Sequence, residues 1–123
     1  MDNATFVKNI ESLIEDAKKT MISKGAEYAG NEDRLANFKR GGNNLGVEAI
    51  LIWAVYFNKH IDSINSFVKN LQKSGNFDFE KDLSEKIEGR FLDALNYVLL
   101  GHSLIQERRA DDLTASFVAK QVK

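Results

Sequence analysis

Cysteine and proline are both absent from the 123 residues. Without thiols the chain can form neither a disulfide nor a thiolate metal site, and a reducing compartment suits it best. Without proline no residue locks φ or removes a backbone donor, so helices can run long. Histidine is scarce, with two residues far apart and no His-Glu-x-x-His pair, so a zinc site has no ligand set. A Gly-x-Ser-x-Gly elbow is missing, as is the Gly-Lys-Ser/Thr ending of a phosphate-binding P-loop. No apolar run approaches the roughly 20 residues of a bilayer-spanning helix, and MDNATFVKN lacks the apolar centre of a secretory signal. The expectation is a cytoplasmic protein with no membrane partner. Neither charge sign dominates: 17 Lys and Arg stand against 18 Asp and Glu, for a formal net charge of −1. Global charge therefore gives no reason to expect nucleic acid as a partner.

What is present is ordinary for one globular domain: 43% hydrophobic and 28% charged residues. A chain of this length buries roughly two thirds of its unfolded surface. Phe6, Ile10, Leu13, Ile14, Ala17 and Met21 repeat at helical spacing, with Asp2 or Asn3 as cap and Gly25 just past the end. A short helix comes next, from Asp33 to Arg40, stopped by Gly41-Gly42. A second long helix starts near Gly46 or Val47, with Ile50, Ala54, Phe57, Ile61, Ile64 and Val68 as its stripe. Residues 50–57 are apolar nearly all round, which asks for burial on several sides, at the centre or at a subunit interface. GNFDFE reads as a turn, with Asp78 or Asp82 as cap of the third long helix. That helix carries Leu83, Ile87, Phe91, Ala94, Leu95, Val98 and Ile105 and ends near Arg108–Arg109, basic residues suited to a helix C-terminus. The fold class is all-α: a bundle of three long helices plus one or two short ones. The domain spans 1–109, and 110–123 form a C-terminal tail or short docking helix.

Polar residues concentrate in two places. One is IEGRFLDALNY, residues 87–97, which sets Glu88, Arg90, Asp93 and Asn96 among core-type residues. Asp93 and Tyr97 share a face, and Arg90 can pair with Asp93. At about 100° per residue Glu88 and Asp93 point about 140° apart, which does not favour one shared ion. A plain surface ion pair is the competing account. The other place is KGAEYAGNEDRLANFKRGG, residues 24–42. It offers cations in Lys24, Arg34, Lys39 and Arg40, rings in Tyr28 and Phe38, and an amide in Asn37. A nucleotide asks for this mixture of cation, flat ring and amide. GGNNLG ahead of the second helix could present backbone N–H groups to an anion, or could merely end the short helix. Lys59 and His60 interrupt the apolar second helix. Lys59 can serve phosphate and His60 can donate or carry a proton, although a rim position explains His60 equally. His102 falls on the apolar face of the third helix and is assigned to packing. Helical carboxylates with Mg²⁺ stay open, since hard cations take oxygen ligands.

KGAEYAGNEDRLANFKR, WAVYFNKHIDSI and IEGRFLDALNYVLL, in this order, resemble the phage and prophage nucleotide-modification-associated helical family. That family is near the all-α, MazG-like NTP pyrophosphohydrolases, and the resemblance covers roughly residues 20 to 105. It implies a helical, usually oligomeric, nucleotide-handling domain in the host cytoplasm; the apolar residues 50–57 make the second long helix the expected surface of self-association. By matching position, Glu88 and Asp93 are the acids that would hold Mg²⁺ and act in catalysis, with Glu27 as a further contact. Lys24, Arg34 and Lys59 would hold phosphates, and Tyr28 or Phe38 would stack on the base. Gly89 and Asn58 stand where relatives often carry acids, and the second helix lacks a Glu-x-x-Glu pair. Two alternatives to hydrolysis arise: a non-enzymatic sponge for a host immune-signalling nucleotide, and a protein-interaction module that binds a host target.

Overall fold

The computed structural model describes residues 1–28, 33–74 and 87–122, with side chains over 1–24, 33–73 and 87–121. Four helices account for nearly all of them: α1 (Asn3–Tyr28), α2 (Ala36–Leu45), α3 (Ala49–Ser74) and α4 (Ile87–Val122). No strand occurs among the described residues, and the fold is all-α. The GNFDFE turn, its capping aspartates and Leu83 lie outside the described residues, as do the side chains of Glu27 and Tyr28.

Helix α1 starts as the sequence predicts. The Thr5 amide donates to Asp2 Oδ1 at 2.8 Å and satisfies one of the free N–H groups of the first turn. Its backbone continues through the expected stop at Gly25 to Tyr28. Helix α2 is also entered through an aspartate: Asp33 Oδ1 accepts the Leu35 amide at 2.9 Å, and the Asp33 carbonyl accepts the Ala36 amide at 3.1 Å.

The Gly41-Gly42 pair does not terminate α2, contrary to expectation. Both glycines lie inside the helix, which runs on to Leu45. They permit close approach: a Cβ on Gly42 would stand 2.6 Å from the Val47 carbonyl oxygen, and one on Gly41 would press on Ile52 at 3.1 Å. The stop is Gly46, whose φ of 68° is the left-handed conformation that glycine adopts without steric cost. The Val47 amide then returns to the Gly42 carbonyl at 2.9 Å, closing a Schellman motif. GGNNLG does not serve as the start of the second long helix, the placement on which its possible role as an anion cradle rested, because those residues are spent inside α2 and on its C-cap.

Helices α3 and α4 run antiparallel, with Trp53 against Tyr97 and Gly101 at one end and Ser63 against Arg90 at the other. The Trp53 indole N–H donates to the Tyr97 carbonyl at 2.6 Å. A Cβ at Gly101 would lie 2.4 Å from the indole ring, so the two helices meet here over a position that only hydrogen fits. Leu35, Phe38 and Leu104 form the buried centre, flanked by Ile52, Trp53, Tyr97 and Leu100. The core thus sits where α2, α3 and α4 meet.

Three expectations about burial need correction. Of the α1 stripe Ala17 is buried (2% exposed), whereas Phe6, Ile10, Leu13 and Ile14 are exposed, because α1 packs on α4 alone among the helices. Residues 50–57 do not hold the central position: Leu51, Val55 and Tyr56 face outward, since among the described helices only α2 and α4 pack on α3, and exposure within one chain leaves the subunit-interface alternative standing. On α4, Phe91, Val98, Ile105 and His102 are exposed, so His102 is not packed in the core formed by the described residues. The helix also does not stop at Arg108–Arg109. ADDLTASFVAKQV contains no breaker, Arg108 and Asp112 approach to 3.6 Å one turn apart, and α4 extends to Val122.

Lys39 ties α2 to both its own entry and α4, through ion pairs to Asp33 and Glu107. The Lys39 ammonium and the Leu35 amide hold the Asp33 carboxyl below its ordinary range. A depressed carboxylate contributes stability that is present above its unfolded value, near 3.8, and is lost as pH falls through the folded value. Thermal melts should therefore show a steeper loss of midpoint between about pH 5 and pH 3 in the wild type than in Asp33→Asn. Gly101→Ala should lower stability by about 1–3 kcal/mol in urea titration. Displacing the Trp53 ring outweighs the gain of up to about 1 kcal/mol from removing a helical glycine.

Candidate functional site

The antiparallel α3–α4 pair leaves one side of α4 to α1 and α2, and a half-open cavity of about 620 Å³ lies there. All four helices contribute: Met21 and Lys24 from α1, Arg34, Asn37, Phe38 and Arg40 from α2 and its entry, Tyr56 from α3, and Asp93, Asn96, Tyr97 and Leu100 from α4. The α4 residues recur at three- and four-residue spacing, so one face of one helix forms a continuous wall.

The floor is aromatic and ordered by packing. Phe38 meets Tyr97 edge to face at 6.2 Å and 79°. The far side of Tyr97 is covered by the His60 ring at 4.3 Å. Burial, followed by the influence of Tyr56 and the negative charge of Asp93, raises the Tyr97 phenol above its ordinary value, so it stays a neutral donor at physiological pH.

The rim is charged. Lys24, Arg34 and Arg40 stand against Asp33 and Asp93, three cations to two carboxylates. Each carboxylate already has a lysine beside it: Lys39 on Asp33, and Lys24 at 3.9 Å from Asp93. Arg40 donates to Asn37 Oδ1 at 3.2 Å, which ties two lining residues together one turn apart on α2. Arg34 is half-buried, with Nη2 3.8 Å from the Met21 sulfur and no carboxylate partner among the described residues.

Asn96 is the group the fold leaves unsettled. It is 5% exposed, lines the cavity, and among the described residues neither its Oδ1 nor its Nδ2 has a hydrogen-bond partner. A buried amide left unpaired costs about 1–3 kcal/mol. The partner of such a group comes from outside the protein's own atoms, as water or a ligand in the cavity it lines.

The sequence-derived candidates divide into two sets. Lys24, Arg34, Asn37, Phe38, Asp93, Asn96 and Tyr97 converge on the cavity. His60 reaches it only through Tyr97. Lys59 is exposed and lies over the Tyr56 ring at 5.1 Å, outside the lining. Arg90 neither faces the cavity nor pairs with Asp93: Nη1 donates to the Ser63 carbonyl at 3.0 Å and braces α4 on α3. Glu88 is exposed and outside the lining, in keeping with its angular separation from Asp93. Among the described residues no group of three or more His, Asp or Glu is placed to hold a metal ion. Sequence reasoning leaves out Tyr56, Asn44 and Met21. Tyr56 carries a usable signal, because it lies one turn before His60 on α3.

Asn96→Leu is close in shape and needs no partner. It should raise the unfolding free energy of the ligand-free protein by about 1 kcal/mol, read from the denaturation midpoint. A destabilised variant would show that Asn96 is a structural amide.

No family model, curated protein or solved structure matches the chain.

Proposed function

We propose that this protein binds a nucleotide in the α1–α4 cavity. The observation that carries the reading is the unpartnered, buried Asn96 amide, set behind the Phe38 and Tyr97 rings and beneath a cationic rim. A carboxamide offers a donor and an acceptor side by side, which complements the edge of a nucleobase. The rings supply a face for the base. Lys24, Arg34 and Arg40 supply charge for phosphate, with Arg34 able to engage two oxygens at once. A volume of about 620 Å³ falls within the range of small-molecule sites.

Binding is favoured over turnover because the lining carboxylates are each beside a lysine and Glu88 stands outside. A Mg²⁺-dependent pyrophosphohydrolase remains the finer proposal that the family resemblance supplies, with Asp93 as the acid inside the cavity. A sponge for a signalling nucleotide uses the same binding geometry without a reaction.

Isothermal titration with a panel of nucleotides, and the matching nucleosides, tests the reading. Lys24→Ala and Arg34→Ala should each weaken the best nucleotide at least about tenfold, the effect of losing one charge-assisted contact. The same variants should leave the weaker binding of its nucleoside nearly unchanged. Equal losses for both ligands, or no binding across the panel, would refute it. Incubation with Mg²⁺ decides the finer question: ligand recovered intact supports binding alone, and pyrophosphate release that disappears in Asp93→Asn supports hydrolysis.

A further inference from the structure

The side of α4 opposite the cavity is a long apolar surface that no other described helix covers. At about 100° per residue, Phe91, Leu95, Val98, His102 and Ile105 fall within about 80° of arc, and Leu99, Leu113 and Phe117 widen it to about 120°. Phe91 is 51% exposed and Val98 47%, and Leu113 and Phe117 on the helical extension are more exposed still. Phe91, Val98 and Ile105 are spaced seven apart, the period of a helix paired along its length with another. An exposed seam of this length is unusual for a protein that acts alone.

The accessible surface agrees. The chain exposes 9576 Å², whereas a compact monomer of 13.9 kDa exposes about 6,700 Å². The difference, about 2,900 Å², is shared with the exposed stripe of α1, and it leaves room for the roughly 1,000–2,500 Å² that each copy contributes to an obligate dimer.

We infer that this face of α4 pairs antiparallel with the same face of a second copy, about a twofold axis at Val98. Self-complementarity identifies the occupant. Phe91 and Ile105 are equidistant from Val98, so a two-fold arrangement sets Phe91 of one copy on Ile105 of the other and Val98 on Val98. Glu88 and Arg109 lie within the same arc, 10 and 11 residues either side of Val98 and both exposed, and the same operation sets each within one residue of the other's level, so opposite charges meet there twice. A parallel arrangement instead stacks Glu88 on Glu88 and Arg109 on Arg109. The patch on α3 does not compete, because Leu51 and Val55 give way to Asn58, Lys59 and Asp62 along the same side. The pairing leaves the cavity open, since Asp93, Asn96, Tyr97 and Leu100 occupy the opposite arc.

The absence of native cysteine makes a direct test available. Sedimentation velocity of the full chain at tens of micromolar should give twice the monomer mass, and Val98→Lys should return it to the monomer with its helical circular dichroism retained. Under mild oxidation Val98→Cys should cross-link to itself. Phe91→Cys and Ile105→Cys should cross-link efficiently when mixed and poorly when alone. A monomeric wild type overturns the proposal, as does a dimer that keeps its mass in Val98→Lys. So does a Phe91→Cys chain that cross-links with itself faster than with Ile105→Cys. Should Val98→Lys fail to fold, the cysteine variants decide alone, since each exchanges one exposed side chain for a smaller one.

Discussion

Where Trp53 crosses Gly101, α3 and α4 approach more closely than any side chain at position 101 would allow. The indole N–H reaches the Tyr97 carbonyl only because of that approach, and the bond fixes the register of the two helices. Register is what places His60 beneath the Tyr97 ring and Phe38 at its edge. It also sets Arg90 under the Ser63 carbonyl at the far end of the pair. The cavity therefore inherits its floor from a close approach and one hydrogen bond made by Trp53 and Gly101, which do not line it. A second close approach, of Gly42 to the turn before α3, seats α2 and its arginines on the same frame. Two glycines thus carry much of the geometry, through the space they leave free.

The helices are legible in the sequence because their signals are local. Capping at Asp2 and Asp33 and apolar spacing along α1, α3 and α4 each depend on a few neighbouring residues. The termination of α2 is not legible, because a Gly-Gly pair signals a stop by propensity and a close contact by packing, and only the tertiary partner decides which applies. The extent of α4 is hidden for the converse reason. Arg108–Arg109 suit a helix C-terminus, but nothing after them forbids continuation.

The site is legible in proportion to how far its residues lie along one helix face. Asp93, Asn96 and Tyr97 follow helical spacing and do share a wall. Glu88 and Arg90 group with them by proximity in sequence, yet the helix turns them elsewhere, one to solvent and one to α3. Tyr56 escapes notice because on α3 it sits within an apolar run and looks like core. Apolar periodicity shows that a face is hydrophobic; it does not say whether the partner is the same chain. That is why the stripes of α1 and α4 read as core and are found exposed.

Helix α4 shows how one element can serve two demands. Its apolar positions are too many for the contacts of a four-helix chain, and its Asn96 is too polar for the place it occupies. Each is a cost when the isolated chain is considered: exposed hydrocarbon on one side, an unpaired amide on the other. A sequence shaped by folding alone would remove both, by placing polar residues at 91, 98 and 105 and an apolar one at 96. Keeping both departures on opposite sides of the same rigid helix is consistent with two separate external partners. A small ligand able to pair with an amide suits the side facing Phe38 and Lys24, and a second helix suits the side presenting Val98. Because the two sides lie on opposite arcs of α4, occupancy of one leaves the other accessible.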